Sequence, residues 1–83
     1  MRKTEFIISI KHKFTGTVQM LAGHCAASET ATCLFTYDPD LAIKSRHKYN
    51  LLVWQSLLKS HMEKTGERFR AVIHPIHDAP IWD

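Results

Sequence analysis

Between Thr4 and Phe14 apolar and polar side chains alternate. Phe6, Ile8, Ile10 and Phe14 fall on one parity, and Ile7, Ser9, Lys11 and Lys13 on the other. That is the period of a half-buried strand with its lysines in water. Thr15-Gly16-Thr17 supplies a turn, and Val18–Ala22 reads as the returning arm of a hairpin. Two registers compete. A two-residue loop pairs Phe14 with Thr17 and sets Leu21 on the Phe6/Ile8/Ile10 face. A three-residue loop pairs Phe14 with Val18, sets Val18, Met20 and Ala22 on that face and turns Leu21 outward. The second aligns more apolar groups and is the register expected. Residues 23–29 are small and polar without periodicity and read as a loop. Thr30–Tyr37 reads as a third strand, with Cys33, Phe35 and Tyr37 on one face and Leu34 and Thr36 on the other.

Asp38-Pro39-Asp40 then signals a helix start: a capping carboxylate, a proline suited to the first helical position, and an acid at the positive end of the dipole. Helix is expected over most of 46–65, with 39–45 either joined to it or forming a separate turn. Leu51, Trp54, Leu58 and Met62 recur at three- and four-residue steps, Val53 and Leu57 widen the stripe, and Lys48, Gln55, Lys59 and Glu63 lie opposite. Gly66 ends the helix. Arg68–Ile73 is the last strand, with Phe69, Ala71 and Ile73 pointing one way and Arg68, Arg70 and Val72 the other. Pro75 closes it or marks an edge.

The predicted order is β-β-β-α-β. This is an α+β fold, a small two-layer sandwich in which one long helix packs on one face of an antiparallel sheet. Residues 1–83 are read as a single domain. Residues 74–83 carry two prolines with Ile76, Ile81 and Trp82, too apolar for an idle tail, and are expected to dock on the domain or on a partner. The uncovered sheet face would hold Lys11, Lys13, Arg68 and Arg70 among Ile7, Leu34 and Val72. A half-apolar exposed face on so small a protein predicts a homodimer or a partner.

Composition narrows the functional classes. With 45% hydrophobic and 23% charged residues the chain is globular and not disordered. No apolar run approaches the ~20 residues of a membrane helix, so no membrane contact is expected and the chain reads as cytoplasmic. The net charge of +3 is modest, but residues 44–70 hold seven Lys and Arg against Glu63 and Glu67. That segment can make a patch for phosphate or for an acidic protein.

Six histidines are the one compositional oddity. Zinc ligation would draw on His24, Cys25 and Cys33, or on His74 and His77, but neither spacing matches a zinc motif, and no metal is assigned. A metal-independent ribonuclease would use His12, His24 or His74 as base beside Lys13, Arg68 or Arg70. Such a set is common in small basic proteins. If strands two and three pair around Glu29, Cys25 faces Cys33 and the two could form a disulfide. No nucleophile motif or phosphate-cradling glycine loop occurs, so no catalytic or cofactor-binding residue is assigned.

The expected function is that of a small non-enzymatic binding protein that occupies a macromolecular partner, a protein first. This is the format of compact regulators and inhibitors, including those of phages and mobile elements. A nucleic-acid-binding regulator using the 44–70 segment is the first alternative and the ribonuclease toxin the second. The partner-binding residues expected are Lys11, Lys13, Lys44, Arg46, Lys48, Arg68, Arg70 and Trp82.

Overall fold

A computed structural model describes residues 4–25 and 32–82. Four strands, β1 (Phe6–His12), β2 (Val18–Cys25), β3 (Thr32–Thr36) and β4 (Phe69–Pro75), form one antiparallel sheet in the order β3-β2-β1-β4. Between β3 and β4 come a 3-10 turn at Pro39–Leu41 and two helices, α1 (Lys48–Leu52) and α2 (Trp54–Thr65), laid on one sheet face. The fold is α+β in the order β-β-β-α-β, as the periodicities predict.

The core lies between helix and sheet. Ile8, Ile10, Leu21, Cys33 and Phe69 from the strands meet Leu51 and Leu58 from the helices, with Trp54, Leu57 and Met62 partly buried beside them. Burying each such leucine contributes roughly 1.5–3 kcal/mol. Asp38 accepts the Asp40 N–H at 2.9 Å through its side chain, as a capping acid should. Gly66 ends α2 at φ +78°, a left-handed conformation that favours glycine, and donates its N–H to Met62 O at 2.9 Å.

Several expectations are corrected. The hairpin register pairs Lys11 with Val18 and Ile10 with Gln19, so Leu21 is the buried residue (0% exposed) and Val18 and Met20 face away from the helices. The loop is longer than either length considered: His12 N–H donates to Thr17 O and Gly16 N–H to His12 O, both at 2.9 Å. That leaves Phe14 in the turn, 87% exposed. Residues 23–25 belong to β2, with an irregularity between Leu21 and Gly23. An extra residue there shifts which side chains face the core.

The helix also departs from one continuous rod. Residues 42–45 are tied to the sheet instead: Phe6 N–H donates to Ser45 O at 2.7 Å, and Ile43 N–H to Leu21 O at 2.9 Å. Val53, at the junction of α1 and α2, is 65% exposed and does not widen the core stripe.

Ile7 and Ser9, expected on an open face, are buried as fully as Ile8 and Ile10. The C-terminal segment supplies contacts there. Ile76 N–H donates to Glu5 O at 2.9 Å, and Asp78 O and Trp82 O each accept from a β4 side chain on that face.

The cross-strand thiol pair is not formed by the register, which sets His24 opposite Cys33 and Cys25 opposite Thr32. Cys33 is a free, buried thiol, and burial pushes its pKa above the ordinary thiol value of 9.0. The unfolded thiol ionises first on an alkaline titration. The stability that comes from keeping Cys33 neutral is therefore fully present below about pH 9 and is lost as pH rises through the folded value. Denaturant melts across that range should show a steeper alkaline loss for the wild type than for Cys33→Ala, which keeps Cys25. Parallel curves would mean that the folded thiol ionises freely.

Candidate anion-binding cleft

Lys11 and Arg70 are register partners on β1 and β4. Alternation turns both to the face opposite the helices, because their neighbours Ile10 and Phe69 point into the core. Lys13 follows where β1 runs into its turn, and its N–H donates to Arg68 O at 2.9 Å, which fixes the start of the turn against β4. Gly16 adopts φ +72° there, so this tight reversal favours glycine. From the other side the Arg70 guanidinium donates to Trp82 O at 3.3 Å and brings the end of the chain to the same place. Lys11, Lys13, Arg70 and Trp82, with His12 and Gly16, line an open cleft of about 380 Å³.

A second cleft of about 280 Å³ shares Lys13 and adds Lys59, Met62, Glu63, Arg68 and Phe69. Among the described residues the ammonium groups of Lys11, Lys13 and Lys59 have no hydrogen-bond or ion-pair partner. Arg68 is set by the helix end, donating to Glu67 O at 3.0 Å and Met62 O at 3.4 Å. Among the described residues the lining of the first cleft holds three cations and no carboxylate, which attracts anions.

The expected partner-binding residues divide between the two ends of β1. Lys11, Lys13, Arg68, Arg70 and Trp82 meet at the hairpin end. Lys44, Arg46 and Lys48 lie at the Phe6 end, about 17 Å away at the rise of a strand. There Lys44 donates to Asp40 O at 3.0 Å and Ala42 O at 3.1 Å, and Lys48 sits 5.2 Å from the centre of the Phe6 ring. Arg46 lines a separate cleft of about 400 Å³ with Thr4, Phe6 and His47.

His12 lines the first cleft, but its ring nitrogens are turned to other side chains. His12 places its Nε2 3.0 Å from Gln19 Oε1, to which it donates, and its Nδ1 4.0 Å from Glu67 Oε2, with the ring edge-on to Phe69. Its nitrogens thus face Gln19 and Glu67. His61 is buried on α2. Its Nδ1 accepts the Cys33 N–H at 3.0 Å, so Nε2 carries the proton and lies 3.5 Å from Glu67 Oε1. His74 is buried on the far sheet face. Its Nδ1 lies 2.9 Å from both Pro75 O and Asp78 O, acceptors that require a proton on Nδ1. In the neutral ring Nε2 is then the acceptor, and Ser9 Oγ donates to it at 2.6 Å. His47 and His77 are exposed, and the His24 side chain lies outside the described residues. Among the described residues no group of three or more metal-ligating side chains comes together.

The Ser9–His74 pair and the His12/Glu67/His61 group were not singled out from the sequence. His61 lies seven residues beyond Trp54 on the buried stripe, a signal that could have placed it inward. Ser9 carried the opposite signal, because its parity matched the lysines. Comparison with protein-family models, curated proteins and solved structures gives no match to this chain.

Proposed function

We propose that this is a small non-enzymatic binding protein that acts by occupying a macromolecular partner, and that the partner presents negative charge to the cleft at the hairpin end. The observation that carries this reading is the meeting of Lys11, Lys13 and Arg70 around one concavity whose described lining residues include no carboxylate. Among the described residues two of those cations have no partner, so their charge is not neutralised there. Among the described residues Arg70 uses one of its five N–H donors, on Trp82 O, and the others can serve a ligand. A buried free thiol at Cys33 suits the reducing cytoplasm, where we place the protein.

Immobilised protein should retain a partner in stoichiometric amount from its native lysate, and added salt should release it. Arg70→Glu and Lys11→Glu should each abolish retention, while Arg46→Glu, at the other end of β1, should keep it. Retention unchanged by both cleft reversals would reject the cleft as the binding surface. A wild-type protein that retains nothing would reject the reading altogether.

A further inference from the structure

The two clefts share Lys13, so the cations do not form separate spots. They run from Arg70 and Lys11 on the outer sheet face, across Lys13 at the turn, to Arg68 and Lys59 beside α2. Among the described residues Glu63 is the one carboxylate in the lining of the two clefts. The half-buried Trp82 stands at the Arg70 end, its backbone held by that arginine. We propose that this line is a track for single-stranded nucleic acid, with phosphates on Arg70, Lys11, Lys13 and Lys59 and a base against the Trp82 indole. The proposal rests on the cleft being the binding surface and adds the chemical class of what fills it.

Two features favour this occupant. A row of cations with an aromatic ring at one end is how single strands are held without regard to sequence: the charges follow the backbone and the ring takes a base. A duplex is read by a convex element entering a groove. The outward face of α2 instead carries Gln55, Lys59 and Glu63, with no concentration of positive charge.

Fluorescence anisotropy would test this with a short single-stranded RNA, the matching duplex and a poly-glutamate peptide of equal charge. The single strand should bind tightest at low salt. With four phosphates engaged, log K should fall against log salt with a slope of about −3, and Lys13→Ala should lessen that slope by about 0.7. Trp82→Ala should weaken binding about five- to a hundred-fold, and Trp82→Phe should recover most of it. Thermal melts would confirm that these exposed or half-exposed variants remain folded. Poly-glutamate binding equal to RNA, with Trp82→Ala unchanged, would overturn the nucleic-acid assignment and leave the cleft as a site for an acidic protein. Failure of both probes, together with retention from lysate that ignores Arg70→Glu, would remove the cleft as well.

Discussion

Leu21→Ala should destabilise the protein by about 2–5 kcal/mol, the range for emptying a fully buried leucine site. A domain of 83 residues has a total stability of about 4–12 kcal/mol, so this one change could consume most of it. The size of the effect follows from register. Leu21 faces the same side as Ile8 and Ile10, pairs with Phe35 across β2 and β3, and is wholly inaccessible to solvent. Its carbonyl also receives the Ile43 N–H, so the strand at this point anchors the segment that leads to the helices. Val18, on the other face and 41% exposed, gives the contrast: Val18→Ala should cost under about 1 kcal/mol. Urea unfolding of the two variants would settle the hairpin register. A larger loss at Val18 than at Leu21 would restore the rejected pairing.

The second large effect is expected at His74. Replacing it by alanine removes an imidazole that satisfies Ser9 Oγ on one side and two backbone carbonyls on the other, in a buried part of the outer sheet face. The lost volume and the unpaired groups together should cost about 2–4 kcal/mol. Ser9→Ala leaves the His74 Nε2 without its donor and should cost about 1–3 kcal/mol. The double variant should lose less than the sum, because each single change strands the same partner. Additive losses would show that the 2.6 Å contact contributes nothing. Exchange of the Ile76 amide gives a separate readout. Its acceptor is Glu5 O, and His74→Ala should speed its exchange if the imidazole holds the C-terminal segment in place.

The sequence showed elements well and their relations poorly. The stripe of Leu51, Trp54, Leu58 and Met62, the Asp38 cap and the Gly66 stop are local signals, written within a few residues of where they act, and occur as read except that Val53 leaves the stripe. Register is not local. Counting apolar groups favoured Val18, Met20 and Ala22 over the lone Leu21, but a count does not weigh position, and Leu21 lies over the middle of the sheet. Ser9 and His74 are 65 residues apart, and no periodicity links them. The basic residues were legible as a type. Their division into a hairpin-end group and a Phe6-end group was not, because it depends on β4 lying beside β1.

The Cys33 amide has a consequence for assembly. β3 is an outer strand of the sheet, and outer strands invite a neighbouring chain to pair with their open backbone groups. Here an imidazole from α2 already occupies the Cys33 N–H, so a strand arriving from another molecule would find that donor taken. On the opposite border, Pro75 has no N–H to offer. Growth of the sheet sideways is thus obstructed at both margins, which protects a small, strand-rich protein from aggregation and directs association to its faces.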